Sequence, residues 1–216
     1  MTEISSLVSL QHFNYIADRT TKEDQFLLDL KAAAIASGIP AIWVSPEQAS
    51  LMQILLKLSG AREVVEVGTL AGYSAIWMAR ALPPEGRVRT IEISRAHADF
   101  AEEWIARSDV HSRIEVHRGA GKEVLQGFEN NGADAAFLDA DKEAYPDYLR
   151  EALRIVRRGG LVMADNAFAF GGLFDEDETD GSVLAVRRFN DLIAREASLQ
   201  SIIVPIGDGL WVGVKL

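Results

Sequence analysis

Residues 64–74 read Val64-Val65-Glu66-Val67-Gly68-Thr69-Leu70-Ala71-Gly72-Tyr73-Ser74. An apolar run, broken only by Glu66, passes through a glycine-rich turn into helical spacing. That is a buried strand, a tight turn and a helix, the unit by which a doubly wound α/β sheet presents a ligand at the carboxyl end of its first strand. The turn departs from a dinucleotide fingerprint. G-x-G-x-x-G puts small residues where the backbone meets a pyrophosphate, and Glu66 stands in the slot of the first glycine. A carboxylate there repels a pyrophosphate by like charge. It suits a ligand that has no phosphate and carries cationic groups.

Outward from this stretch the chain alternates. Apolar runs at 63–67, 88–93, 113–117, 133–138 and 161–164 read as strands, and helical spacing recurs at 74–81, 96–107, 122–128 and 145–156. The alternation predicts an α/β fold, a mostly parallel sheet with helices on both faces. The end of the chain breaks the rhythm. Ser201-Ile202-Ile203-Val204-Pro205 and Leu210-Trp211-Val212-Gly213-Val214 are separated only by Ile206-Gly207-Asp208-Gly209. So short a gap holds no crossover helix, and the two runs form an antiparallel hairpin. A dehydrogenase half-sheet would stay parallel.

Residues 11–37 read as helical, with Phe26, Leu27, Leu30, Ala33 and Ala34 at helical spacing and Thr20 or Thr21 as a cap. Ser45-Pro46-Glu47-Gln48 starts a further helix. Ser45 caps it, Pro46 takes the first position, Gln48 completes a capping box, and Gly60 ends it. The 216 residues suit one domain over 1–216, without internal repeat or linker. Residues 1–44 are its helical segment, over the site or at a subunit interface.

Composition narrows the chemistry. The chain has no cysteine, which removes disulfides, thiolate metal sites, iron–sulfur clusters and cysteine nucleophiles. His12, His97, His111 and His117 lack ligand spacing and read as surface or packing residues. A net charge of -10 offers nucleic acid no counterion-release affinity without a local basic patch. Arg154, Arg157 and Arg158, and the pair Arg187 and Arg188, read as solvated helix faces. No apolar run reaches the length of a membrane span. Met1-Thr2-Glu3-Ile4-Ser5-Ser6 lacks the basic-then-apolar pattern of a leader, and a cytoplasmic location is expected.

A ligand with positive groups and no phosphate describes S-adenosylmethionine, whose sulfonium and ammonium are both cationic. Glu92 ends the second strand, roughly twenty residues past the glycine turn, where a carboxylate takes both ribose hydroxyls of an adenosyl ligand. Gly72-Tyr73-Ser74-Ala75-Ile76 is no nucleophile elbow, because the second glycine of G-x-S-x-G is missing. Strand four ends Phe137-Leu138-Asp139-Ala140-Asp141-Lys142, and strand five ends Val162-Met163-Ala164-Asp165-Asn166. As neighbours, these strands bring Asp139, Asp165 and Asn166 to the crevice of the glycine turn. Two carboxylates and an amide oxygen suit a hard cation, Mg²⁺ or Ca²⁺ before Mn²⁺, with zinc disfavoured. For either cluster alone, ordinary acidic strand ends compete with this reading; on adjacent strands together they do not.

The segment Glu66 to Ser74, the D-x-D-K of Asp139 to Lys142 and the pair Asp165-Asn166 resemble motifs of the cation-dependent O-methyltransferases, the caffeoyl-CoA and catechol type with its small bacterial members. Phe189-Asn190 and Gly207-Asp208-Gly209 match later family segments, and the resemblance runs from about residue 45 to the C-terminus. It implies the class I methyltransferase Rossmann-like sheet and a homodimer. It places Val44, Glu66, Gly68, Thr69, Ser74, Glu92, Ala120 and Asp139 around S-adenosylmethionine. Gly119-Ala120 would lie along the adenine, with Val44, Gly68 and Ser74 on the methionine part. It makes Asp139, Asp165 and Asn166 the metal ligands, and Asp139 and Lys142 catalytic.

The expected reaction methylates one hydroxyl of a catechol-like, vicinal dihydroxy aromatic small molecule. Three protein oxygens leave about three positions on an octahedral ion, and a vicinal diol fills two. A phenol of ordinary pKa, about 10, is protonated at neutral pH, so Lys142 is expected as base or oxyanion stabiliser. As a base it needs a depressed pKa, which cation charge and partial burial favour. Asp141 is a further candidate contact. Phe168, Phe170 and Phe174 are candidates for the acceptor wall, and Phe170-Gly171-Gly172 replaces the Trp-Gly-Gly of many relatives. The run Asp175-Glu176-Asp177-Glu178 reads as a solvated loop, since an EF-hand would want Glu where Val186 stands. Three other readings compete less well. The acidic balance disfavours methylation of hydroxylated uridine in tRNA. Glu66 and the hairpin oppose a nicotinamide oxidoreductase. The metal trio and Lys142 oppose a non-catalytic adenosyl-ligand-binding module.

Overall fold

In a computed structural model describing residues 8–216, the strand Glu63–Val67 (β1) lies in the middle of a seven-stranded sheet. It pairs in parallel with β2 (Arg87–Glu92) on one side and β4 (Ala133–Leu138) on the other. Outside these, β3 (Ile114–Arg118) joins β2 and β5 (Val156–Ala164) joins β4, again in parallel. The hairpin closes the far edge. Here β7 (Leu210–Lys215) runs antiparallel to β5, and β6 (Leu199–Val204) antiparallel to β7. The order is β3-β2-β1-β4-β5-β7-β6.

Alternation along each strand feeds two cores. Val64, Ala135, Phe137 and Met163 pack with α2 (Gln25–Ala36), α3 (Pro46–Ser59), α4 (Tyr73–Ala81) and α5 (Arg95–Ala106). Val65, Val67, Ala136, Leu138 and Val162 pack with α6 (Gly121–Leu125), α7 (Tyr145–Ile155) and α8 (Gly181–Ile193). Successive side chains point to opposite faces, so a strand buried on both faces reads as one continuous apolar run. The expected mixed sheet with helices on both faces is the observed one. No helix among the described residues is long and apolar enough to cross a membrane.

Three expectations need correction. The single helical stretch at 11–37 is two helices, α1 (Leu10–Arg19) and α2. The cap of α2 is Asp24, whose carboxylate accepts from Leu27 N at 3.0 Å; the Thr20 hydroxyl instead closes α1 by donating to Ile16 O at 2.9 Å. Residues 1–7 of the N-terminal segment, including the stretch read for a leader, lie outside the described residues. Second, Ser45 does cap α3 and Gly60 ends it in the left-handed region, but Gln48 forms no capping box. Its side chain reaches across the molecule to Asp165. Third, β5 begins at Val156 rather than at residue 161. Its pairing jumps from Ala133↔Val156 to Ala135↔Leu161, so Arg157 to Gly160 form an irregular insertion that no strand pattern would reveal.

Of the arginines read as a solvated helix face, only Arg154 is on a helix, α7; Arg157 and Arg158 lie in this insertion. Arg157 Nε donates to Asp134 Oδ1 at 2.6 Å, while Asp134 Oδ2 accepts the backbone N–H groups of Arg62 and Glu63 at 2.7 and 2.9 Å. Arg154 donates to the carbonyls of Phe128 and Leu125. Arg157 thus ties strand beginnings together and Arg154 ties α7 to the end of α6, so neither forms a free basic face. Burial works against the charge on Asp134, but the Glu63 N–H, the Arg157 guanidinium and the Arg62 N–H hold its carboxyl below the usual range.

A depressed carboxyl adds stability above its ordinary pKa and loses it as pH falls through the folded value. Asp134→Ala is therefore expected to cost roughly 1–3 kcal/mol at neutral pH. Thermal unfolding measured from pH 7 downward should show the gap to the parent closing in acid.

Candidate functional site

The turn after β1 is forced into glycine. Gly68 has φ +104°, and a Cβ on it would fall inside the radius of the Asp139 carbonyl oxygen. Its N–H donates to Ile91 O at 3.0 Å, and Asp139 N–H donates to Val67 O at 2.9 Å. The ends of β2, β1 and β4 are thus stitched side by side, and Asp139 arrives against the turn. Gly72, at φ +83°, opens α4. Around this junction lies a cavity of about 600 Å³.

Most of the residues expected around the adenosyl ligand line this cavity. Glu66 does not line the cavity but lies fully buried behind Ser74, which does; its Oε1 accepts from the Ser74 hydroxyl, and its Oε2 has no partner. Burial above all, then the nearby carboxylates of Asp139 and Glu92, pushes the Glu66 carboxyl up to about 8 against the hydrogen bond from Ser74. Glu92, also buried, accepts Leu70 N–H at 2.9 Å and Ser94 N–H at 2.8 Å. Each oxygen keeps a lone pair for a further donor. Val44, Gly68, Thr69 and Ser74 line the cavity as well. The Thr69 hydroxyl is already bonded to that of Thr90, at 2.6 Å. Ala120 departs from expectation: Gly119 and Gly121 line the cavity and Ala120 between them does not.

In the same cavity the two acidic strand ends meet. Asp139, Lys142, Asp165 and Asn166 all line the cavity. Lys142 Nζ donates to Asp139 Oδ1 at 3.0 Å and to Tyr145 Oη at 2.6 Å, and Tyr145 Oη donates onward to Leu138 O at 3.2 Å. Burial, reinforced by the charges of Asp139 and Asp165, keeps the Tyr145 phenol protonated far above its ordinary range. Asp165 is buried; its Oδ1 accepts from Gln48 Nε2 at 2.6 Å and Asn166 N at 2.7 Å. Burial first, then the charge of Asp139, pushes Asp165 up to about 7. Among the described residues no group of three or more His, Asp or Glu side chains is arranged to hold a metal. The expected set is two carboxylates with the Asn166 amide.

Several site residues escaped the sequence reading. Gln48 looked like a helix cap. His97, read as surface, lines the cavity with its Nδ1 3.8 Å from Glu92 Oε1. Tyr148 holds Asp141 through its hydroxyl at 2.5 Å. Tyr73, in the quoted stretch, donates to Glu23 Oε1 at 3.0 Å and so pins the N-terminal segment to the start of α4. Of the three phenylalanines, Phe170 lines the cavity with its ring 5.9 Å from Lys142 Nζ. Phe168 packs against Gly209, and Phe174 is 89% exposed. A lone Gln, His or Tyr carries no motif, so position in the fold was the only signal for these.

Comparison with known proteins accords with this geometry. The O-methyltransferase family model matches residues 17–216. A catechol O-methyltransferase of Niastella koreensis is 39% identical over 205 residues, covering 94% of this chain and 90% of that protein. A catechol O-methyltransferase of Mycobacterium tuberculosis is 34% identical over 195 residues, covering 90% and 88%. Among solved structures, the O-methyltransferase from Bacillus cereus in complex with SAH superposes with a TM-score of 0.86 at 35% identity, covering 94% of this chain and 96% of that one. The sheet is that of the class I methyltransferases, and the chain belongs to the O-methyltransferase family, as an S-adenosylmethionine-dependent enzyme.

Proposed function

We propose that this enzyme methylates one hydroxyl of a vicinal dihydroxy aromatic small molecule, with a divalent cation, Mg²⁺ foremost, held by Asp139, Asp165 and Asn166. The observation that carries this is the convergence of those three side chains and Lys142 on the cavity that Glu92 and Ser74 also line. The catechol O-methyltransferase names of the two curated relatives point the same way.

The donor set fits both groups. Glu66 Oε2 is buried without a partner, which suits the ammonium of S-adenosylmethionine. The charge of Asp139 raises the proton affinity of Asp165, as one carboxylate does to another where a cation would relieve them. When bound, the cation would favour the oxyanion of the acceptor, and the sulfonium would supply an activated methyl group. The rest falls to the chain. Glu92 would orient the ribose, and Ser74 holds Glu66 in place. Lys142, anchored by Asp139 and Tyr145, stands ready to take the acceptor's proton or stabilise its oxyanion. Phe170, Trp43 and Ile42 give the cavity apolar walls suited to an aromatic ring. Arg154 and Arg157 are spent on carbonyls and Asp134, which favours a small-molecule acceptor over RNA. We further propose a single catalytic unit over residues 1–216, working as a cytoplasmic homodimer, with exposed Ile35, Ile54 and Leu58 on the N-terminal helices as its apolar surface.

Release of S-adenosylhomocysteine, assayed with 1,2-dihydroxybenzene, is expected to require Mg²⁺ and to stop with EDTA; equal turnover in EDTA would remove the cation from the scheme. Lys142→Met should lower kcat by roughly 10²–10⁴ while calorimetry shows donor affinity retained. Glu66 supplies a pH test. A carboxyl whose folded pKa is raised, here from 4.5 to about 8, gives up stability as pH rises through that window. Ligand-free Glu66→Gln should therefore gain melting temperature relative to the parent between pH 5 and 8. The same variant should bind S-adenosylmethionine roughly 10–100-fold more weakly, the worth of one charged hydrogen bond.

A further inference from the structure

The hairpin turn between β6 and β7 does more than reverse the chain. It folds over the end of β5, where Ala167 N–H donates to Gly209 O at 2.9 Å and Phe168 N–H to Asp208 O at 2.8 Å. The Asp208 side chain goes further. Its Oδ2 accepts from Asn166 Nδ2 at 3.1 Å and from Phe170 N–H at 2.9 Å. We propose that Asp208 is a positioning residue, one carboxylate oxygen that sets both the cation-facing amide of Asn166 and the acceptor wall at Phe170. The proposal rests on the function proposed above.

The chemistry of an amide makes the first half specific. Asn166 has one oxygen and one nitrogen at the end of its side chain, and only the nitrogen can donate to a carboxylate. Bonding Nδ2 to Asp208 turns Oδ1, the sole atom of the amide able to ligate a hard cation, away from Asp208. Groups of this kind behind a ligand fix its orientation.

Backbone conformation makes the second half specific. Asn166, Ala169 and Phe170 have φ of +63°, +55° and +56°. Asparagine tolerates the left-handed region; alanine and phenylalanine resist it. Such a backbone persists only where its surroundings hold it, and Asp208 holds it at Phe170. The flanking glycines let the turn come this close. A Cβ on Gly207 would strike the Gln48 amide that donates to Asp165, and one on Gly209 would meet the Phe168 ring at 2.9 Å. Phe170 then presents its ring to Lys142. No cation is needed for this arrangement, because every contact lies within the chain.

The test uses the full-length protein with Asp208→Ala and Asp208→Asn. Mn²⁺ binding is read by electron paramagnetic resonance without donor or acceptor, alongside S-adenosylhomocysteine affinity by calorimetry and KM for 1,2-dihydroxybenzene. Asp208→Ala should weaken Mn²⁺ binding roughly 10–100-fold and raise the acceptor KM, with S-adenosylhomocysteine affinity within about twofold of the parent. Asp208→Asn keeps an oxygen acceptor and should recover most of both losses. Unchanged Mn²⁺ affinity in the alanine variant would overturn the proposal. So would equal losses in both variants, which would make the charge of Asp208 rather than its hydrogen bonds responsible, or S-adenosylhomocysteine affinity falling in step with Mn²⁺. A parent that binds no Mn²⁺ yet methylates the catechol would overturn the cation reading itself, and this inference with it.

Discussion

The close approach of Gly68 to the Asp139 carbonyl is the constraint on which the site depends. Two neighbouring parallel strands end at the same level, and the backbone of one turn lies flat against the other strand's last residue. Any side chain at Gly68 would drive the two apart. With glycine there, the turn after β1 and the carboxylate that begins the acidic cluster share one wall of the cavity. The methyl donor and the acceptor's oxygen must meet at bonding distance, and holding both reactants in one cavity is itself a large part of catalysis.

A second feature follows from burial. Glu66, Glu92 and Asp165 are all withdrawn from water at the carboxyl ends of the sheet. Both oxygens of Glu92 accept backbone N–H groups. Glu66 and Asp165 are not fully compensated, and their carboxyls hold protons far above the ordinary range. Uncompensated acid is costly in a folded protein unless something cationic arrives to meet it. The two under-compensated groups have different neighbours, Glu66 bonded to Ser74 and Asp165 beside Asn166.

Much of this was legible because the residues concerned carry patterns. Glu66 stood out by occupying a glycine's slot, Glu92 by its distance from the turn, and the Asp139 and Asp165 clusters by ending two strands read as neighbours. The hairpin was readable because four residues leave no room for anything else. The parts that were not legible lack a local signature. Gln48 has the spacing of a helix cap and serves Asp165, which lies 117 residues away. Asp208 sat in a recognised Gly-Asp-Gly segment, yet nothing in those letters says which side chains it holds. His97 had no ligand spacing because its place beside Glu92 comes from the start of α5, not from a second histidine.

By itself, the sequence determined the α/β class, the order of strands and helices, the terminal hairpin and the chemical character of the crevice. These follow from periodicity, turn residues and charge, which act over a few residues. Only the tertiary structure decided which hydrogen bonds satisfy each buried polar group, where β5 takes up its irregular insertion, and which of three phenylalanines faces Lys142. Those outcomes depend on atoms brought within about 3 Å of one another from distant parts of the chain, at the distances hydrogen bonds require. A pattern along the chain carries no information at that range.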